Sequence, residues 1–377
     1  MSENRILIAS LLKPINDTRM YEKLGLSLCK LPDTQIHIAG FHATVPPGAP
    51  LNLHFHSLFR FGRLSWQRLQ ARTQYAQLLE QLQPDLVIAC THELLLPSLR
   101  YCRQHYARLI YDVQENYALN LTAQRNYPPL LRQLLAYYVR RAEIKAAQGV
   151  AHFLLAEHSY AEELHFLPEG RYTVVANKYK PAVGYTLPVT PVRLNQQPLR
   201  LLYSGTIAKL YGVFEAVQLA EALHAIEAST TLTIIGYSAR PDMLQQLKQR
   251  IQGKDFIRLI GGSKLVPHFQ ILEAIQQSNI GLLPYQPNPS TFRCIPTKMY
   301  EYMAHALPML VQHNTLWENI IKGAKAGISI DFAEMRPVEL LQRIRQQDFY
   351  TNGIPPDIYW ATEEVKLLQL VKATLKH

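Results

Sequence analysis

Cysteine is scarce in this chain of 377 residues: Cys29, Cys90, Cys102 and Cys294 are all there are. They form no CxxC pair and no metal-type spacing, so they read as reduced thiols in a cytosolic protein. Long hydrophobic runs are missing as well, although 48% of the residues are hydrophobic. No stretch approaches the length that crosses a bilayer, so any membrane contact is expected to be peripheral, at the inner face of the plasma membrane. ILIASLL near the N-terminus runs straight into KPINDTR without a small-residue cleavage site and reads as a first strand, not a signal peptide. No GxGxxG follows it, which removes the usual dinucleotide fingerprint. Acidic residues are outnumbered 29 to 39, for a formal net charge of +10. That excess suggests an anionic partner without choosing among nucleic acid, anionic lipid and phosphorylated substrates.

Strand and helix signals alternate along nearly the whole length. RILIASLL and IHIAGF read as buried strands around a helix in PINDTRMYEKLGLSLCKL, a βαβ opening. PDLVIAC, ARLIYDV, GVAHFLL and YTVVANK continue the pattern, and LRLLYSGT, TLTIIGYS, DFIRLIGG, NIGLLPY and GISIDF supply a second set. Such alternation requires parallel sheets covered on both faces. Residues 181–198 carry Pro181, Pro188, Pro191 and Pro198 and little that packs, the best linker in the chain. The expected organisation is a Rossmann-like domain over 1–180, a linker over 181–198, a second Rossmann-like domain over 199–350 and a helical segment over 351–377. The last helix is expected to bury Val365, Leu368, Val371 and Leu375.

Two basic stretches stand out. Residues 59–75 hold Arg60, Arg63, Arg68 and Arg72 among Phe59, Phe61, Leu64, Trp66 and Leu69. They suit either a helix on an anionic membrane surface or a basic helix whose leucines enter the core. For residues 127–147, YPPLLRQLLAYYVRRAEIKAA, the core reading is expected. Ligands of open α/β sheets bind at the carboxyl ends of strands, which directs attention to His92, Asp112 and Glu115. His92 also fits a satisfied structural histidine, and Asn16 or Asp17 suits a helix N-cap.

The stretch richest in chemistry is PYQPNPSTFRCIPTKMYEYMAHALP, residues 284–308. Pro296 suits a first helical position. From there Met299, Tyr302, Met303 and Ala306 fall at i, i+3, i+4, i+7 and face the core, with Lys298, Glu301 and His305 in an adjacent polar stripe. Lys298 sits in the first turn, where unpaired N–H groups and the helix dipole favour an anion. An ionised Glu301 can accept two hydroxyl hydrogen bonds, as a ribose diol offers. An ordinary i,i+3 surface pair fits the same two residues.

IGLLPY followed by IPTKMYEYMAHALP resembles the donor-binding segment of GT-B glycosyltransferases, in particular the retaining family 4. The resemblance implies an α/β GT-B architecture: two Rossmann-like, doubly wound parallel-sheet domains facing a cleft, with the last helix crossing back to the first domain. It implies a nucleotide-sugar donor on the second domain, with Glu301 on the ribose and Lys298 near the diphosphate. Gly205 and Gly212 bracket the turn beneath that diphosphate, and Gly236 matches the glycine after the strand that walls the base pocket. Where the family carries Gly-Arg and Lys-Gly, this chain reads Gly205-Thr206 and Tyr211-Gly212; Lys209 in the same loop is the candidate substitute. Arg293 stands where a family glutamate is common, and joins Lys298 and Lys209 as a cation for the leaving group. On the acceptor side, the Pro14, Asp17, Arg19 loop resembles one that faces the cleft. DVQENY, with Asp112 and Glu115, resembles an Asp-x-His-Glu-x-Tyr segment, Gln114 standing in place of the histidine. Asp17, Asp112 and Glu115, with His92 and Arg293, are the candidate catalytic or acceptor-side residues.

The function so implied is transfer of a hexosyl-type sugar from a nucleotide-sugar to a cell-envelope, polysaccharide or lipid-linked acceptor, with retention and with no metal or other cofactor. Thr206, Tyr211 and Arg293 leave open a non-catalytic GT-B protein that binds nucleotide or partner subunits. A sugar-nucleotide epimerase would need several carboxylates and a histidine in the cleft. Nucleic-acid binding is not expected, because the basic residues are not interleaved with a recognised module.

Overall fold

The computed structural model of the protein describes residues 3–61, 67–123 and 128–376. The chain divides into two compact units, residues 3–180 with 360–376, and residues 181–359.

The first unit is built on a seven-stranded sheet, all of whose pairings are parallel. Its strands are β1 (Asn4–Pro14), β2 (Thr34–Phe41), β3 (Leu53–Phe59), β4 (Leu86–Ala89), β5 (Arg108–Val113), β6 (His152–Leu155) and β7 (Tyr172–Val174), in the order β3-β2-β1-β4-β5-β6-β7. The central strands are apolar runs because both faces are covered: every residue of β4, LVIA, is buried. The edge strand β3 was not expected. His54 and His56 alternate with Leu53 and Phe55, so no continuous apolar run announces it.

The last helix, Trp360–Lys376, packs in this unit through Val371 and the partly buried Leu368 and Leu375, as expected, but Val365 lies outside the packed face. Trp360, Leu367 and Val371 are buried with Leu24 and Leu28, while Val365 is 55% exposed. Two anchors set the rotation. Trp360 Nε1 donates to Ser27 Oγ at 2.9 Å, and the buried Glu363 carboxylate takes Lys178 at 2.7 Å and the Ala176 N–H at 3.1 Å.

A second correction concerns residues 127–147. The helix Pro129–Ala147 buries Ala136, Val139, Glu143, Ala146 and Ala147, and leaves Leu130 83% and Leu134 50% exposed. Residues 62–66 of the other basic stretch, including Arg63 and Trp66, lie outside the described residues. Among those described, no helix is long and apolar enough to cross a membrane.

Residues 181–198 fall within the second unit. They contain β8 (Val192–Arg193), which pairs antiparallel with β15 (Asp348–Phe349). The main sheet has six parallel strands: β9 (Arg200–Thr206), β10 (Thr231–Tyr237), β11 (Ile257–Gly262), β12 (Ile280–Leu283), β13 (Met309–Gln312) and β14 (Gly327–Ile330), in the order β11-β10-β9-β12-β13-β14. The order reverses between β9 and β12. That reversal opens a crevice at the carboxyl ends of those two strands.

Candidate donor site in the second unit

The crevice is formed by Gly205 and Thr206 at the end of β9, by Tyr285 just past β12, and by the start of the helix Thr297–Ala304. Pro296 is the cap residue of that helix, one position before the expected start, so Thr297 and Lys298 form its first turn. Met299, Tyr302, Met303 and Ala306 are buried, the face the spacing predicts. Tyr302 locks the helix onto the sheet. Its ring lies where a Cβ on Gly281 of β12 would approach to 2.5 Å, and its hydroxyl is 2.8 Å from Ser204 Oγ in β9.

This anchoring buries the Glu301 carboxylate and gives each of its oxygens a partner. Lys298 Nζ donates to Oε2 at 2.6 Å, and His268 Nε2 lies 2.5 Å from Oε1. Burial alone would push the Glu301 carboxyl up, but the Lys298 ammonium and then His268 outweigh it and hold the group down at about 2. Glu301 is therefore an acceptor-only group at neutral pH, with lone pairs left for hydroxyl donors. His305 ends the helix and is half-buried; burial lowers its pKa, against the pull of Glu301.

His268 escaped the sequence reading. It opens the helix His268–Gln277 directly after Pro267, 33 residues before its carboxylate partner. The Val-Pro-His run signals a helix start, but nothing in it tells which strand end that start faces.

The hollow at the crevice measures ≈ 290 Å³ and is lined by Gly205, Thr206, Tyr211, Tyr285, Thr291, Cys294 and the Pro296-Thr297-Lys298 turn. Hollows of ≈ 380 Å³ beside Asp85 and ≈ 390 Å³ beside Lys322 are larger, but the first lies at the amino ends of its strands and the second at the edge of its sheet, so neither sits at the carboxyl ends of strands where the order reverses. Position and chemistry therefore select the smaller one. At Gly205 the backbone adopts φ 121°, and a Cβ there would sit 3.7 Å from Lys298 Cε, so the lysine stem crosses the end of β9. Gly212 caps the helix Val213–Ile226 at φ 73°, where a Cβ would meet the Pro284 carbonyl at 1.8 Å. Gly236 lies within β10, not after a strand, and its bare Cα lets the Gly205 carbonyl approach: a Cβ would be 1.7 Å away. Lys209 and Arg293 are exposed and neither lines the hollow. Tyr211 and Tyr285 pack edge-on at 5.2 Å and wall it. Lys298 and the first-turn N–H groups suit an anion, and Glu301 suits a vicinal diol.

The candidate acceptor-side residues belong to the first unit. Asp17 caps the helix Thr18–Gly25, accepting from the N–H groups of Arg19 and Met20. Arg19 is buried: its Nε is 2.9 Å and its Nη2 2.6 Å from the Asp112 carboxylate, and its Nη1 donates to the Val175 carbonyl at 3.0 Å. Gln114 donates to Asp112 at 2.9 Å. Arg19 and Asp112 thus neutralise each other in the interior of the first unit. Glu115 accepts from Asn120 at 3.0 Å, and His92 lies 3.3 Å from Glu93 with its ring against Tyr117. Among the described residues no cluster of three or more His, Cys, Asp or Glu suits a metal ion.

Two doubly wound parallel-sheet units of this kind, the second with a strand-order reversal at its crevice, define the GT-B fold. No protein-family model and no curated protein sequence matches the chain. Solved structures do. Sucrose-phosphate synthase from Thermosynechococcus elongatus superposes with a TM-score of 0.70 at 12% identity, over 98% of each chain. Anabaena HepE, solved in complex with UDP-glucose, gives 0.61 at 12% identity over 98% of this chain and 99% of its own. WaaG, a glycosyltransferase involved in lipopolysaccharide biosynthesis, gives 0.61 at 12% identity over 95% and 94%. At such identities the likeness is one of fold.

Proposed function

We propose that this chain is a glycosyltransferase that takes its sugar from a nucleotide-sugar bound at the crevice of the second unit. The observation that carries the reading is the buried, ionised Glu301 one turn from Lys298, at the strand-order reversal and beneath a helix N-terminus. In this reading the ribose hydroxyls donate to the free lone pairs of Glu301. The diphosphate lies over Gly205, against Lys298 and the first-turn N–H groups. As the bond to the sugar breaks, negative charge builds on the leaving diphosphate, and those fixed donors stabilise it. The charge is met by protein groups, so no metal is required. A hexosyl-type sugar, retention and a glycan or lipid-linked acceptor held by the first unit rest on the resemblance to family 4. HepE with UDP-glucose and WaaG lend the reading support through the fold they share with this chain.

Calorimetric titration with UDP, GDP and dTDP and their sugars tests it, using wild type, Glu301→Ala and Lys298→Ala. Losing one charge-assisted hydrogen bond weakens binding by about tenfold to a hundredfold. Turnover is expected to withstand EDTA. Unchanged binding in Glu301→Ala rejects the reading. The second reading, a non-catalytic nucleotide-binding protein, is favoured by Thr206 and Tyr211 in the hollow, where the resemblance leads one to expect cations. It predicts nucleotide affinity that depends on Glu301, without turnover on any glycan or lipid-linked acceptor offered.

A further inference from the structure

The hollow at the crevice of the second unit is rich in hydroxyls and poor in charge. Thr206, Tyr211, Tyr285, Thr291 and Thr297 bring five hydroxyl groups to its lining, and Lys298 is the one cation among the described residues that form it. That cation stands 2.6 Å from the Glu301 carboxylate, so the two formal charges nearly cancel. An anion seated here meets little net positive charge, and hydrogen-bond donors have to supply what charge does not.

One of these hydroxyls is held where no protein group uses it. Tyr285 follows Pro284 directly after β12, and its backbone is pinned on both sides: the Pro284 carbonyl lies against the bare Cα of Gly212, and the Gln286 N–H donates to the Leu210 carbonyl at 2.9 Å. Its ring packs edge-on against the buried Trp317 at 5.9 Å and against Tyr211 at 5.2 Å. The nearby tyrosines of strand and helix are satisfied, Tyr203 by the Thr206 carbonyl at 2.7 Å and Tyr302 by Ser204 Oγ at 2.8 Å. The Tyr285 hydroxyl has no hydrogen-bond partner among the described residues. A phenylalanine would fill the same wall, so packing accounts for the ring and leaves the hydroxyl without a structural task. Burial, with Tyr302, Tyr211 and Glu301 close by, pushes its pKa up, so the group keeps its proton and is a donor throughout the neutral range.

We propose, resting on the nucleotide-sugar reading of this hollow, that Tyr285 is a phosphate ligand: its hydroxyl donates to a phosphate oxygen of the bound nucleotide, in the place a second cation would take. A hydroxyl on a phosphate oxygen makes a charge-assisted bond, short and about twice as strong as one between neutral groups. The aromatic rings on either side lower the local dielectric and strengthen it further. As the sugar leaves, charge grows on the diphosphate and the same bond tightens, so Tyr285 serves the reaction as well as binding. A neutral donor also holds its phosphate without the screening that weakens an exposed lysine or arginine, so its share of the affinity does not depend on salt.

Tyr285→Phe keeps the ring and removes only the hydroxyl. Calorimetric titration of the full chain with UDP, GDP and dTDP finds the diphosphate that wild type binds best, and competition against it measures the bare nucleoside. Tyr285→Phe is expected to weaken the diphosphate by about tenfold or more and the nucleoside by less than about twofold, with thermal unfolding unchanged. The salt dependence of diphosphate binding is expected to match wild type in Tyr285→Phe and to flatten in Lys298→Ala, since the lysine alone carries charge. Undiminished diphosphate affinity in Tyr285→Phe, or an equal loss for the nucleoside, overturns the proposal while the donor-site reading still stands on Glu301→Ala. A flattened salt dependence in Tyr285→Phe overturns it too, since the variant would then act by displacing Lys298. If wild type binds none of the three diphosphates, the donor-site reading itself falls, and the role of Tyr285 with it.

Discussion

Replacing Glu301 by glutamine removes one charge and leaves the shape. The carboxylate serves Lys298 at 2.6 Å and His268 at 2.5 Å. A neutral amide keeps one acceptor and turns a donor toward the other partner. Each charge-assisted bond contributes about 1.5–3 kcal/mol, and breaking a fully buried pair costs about 3–5 kcal/mol. Here both partners can recover water, His268 being 47% and Lys298 17% exposed at their side chains, so the loss stays below the upper end of these ranges. The expected loss at neutral pH is about 2–4 kcal/mol in the second unit. The sign of its pH dependence follows from the direction of the shift. The folded-state value, about 2, lies below the ordinary glutamate value, so the stabilisation is fully present above the ordinary value and is lost as pH falls through about 2. Hydrogen exchange of the helix 297–304 reads this unit without assuming that both units unfold together. Protection of those amides should fall by roughly 30-fold or more at pH 7 in Glu301→Gln, with a smaller difference from wild type at pH 3. A difference below about 0.5 kcal/mol at pH 7, or one that grows on acidification, would refute the electrostatic account of the site.

Two further perturbations follow. Gly236→Ala places a Cβ 1.7 Å from the Gly205 carbonyl, and backbone on backbone cannot yield as a side chain does. The expected cost is about 3 kcal/mol, at the upper end for overpacking, with weaker nucleotide binding because Gly205 is displaced; thermal unfolding and calorimetry measure the two. In the first unit, burial and then the neighbouring His56 and His54 hold His37 down to about 4, its Nδ1 3.0 Å from His56 Nε2. A base with a lowered value stabilises the fold fully above its ordinary 6.5 and loses that contribution as pH falls through about 4. Denaturant titrations should show a decline of about 1–2 kcal/mol on acidification, flattened in His37→Gln. An equal decline in that variant would assign the effect elsewhere.

The alternation of buried strands and helices was legible because parallel strands covered on both faces must be apolar throughout, as LVIA and IGLL are. The face of the helix Thr297–Ala304 was legible from its spacing: three large apolar residues, Met299, Tyr302 and Met303, leave one rotation. Where a helix is apolar nearly all round, spacing cannot choose. In the helix Pro129–Ala147 the unit took the small side chains, which admit close approach, and left Leu130, Leu131 and Leu134 outside. In the last helix Trp360 and the ion-paired Glu363 outbid Val365, and neither long-range anchor is written in the local sequence. His268 was hidden for a related reason. Its meaning lies in a carboxylate brought to it by a strand and a helix start, and a linear scan carries no sign of that meeting.

The first unit draws its core from both stretches of chain that flank the second, Trp360, Leu367 and Val371 packing with Leu24 and Leu28. During synthesis the ribosome emits residues 3–180 well before residue 360, so the portion made earliest is the one completed latest. Everything in the second unit has emerged by then. Its sheet can close while the leading segment still waits for a tryptophan, and that interval is when the nascent protein most needs a chaperone.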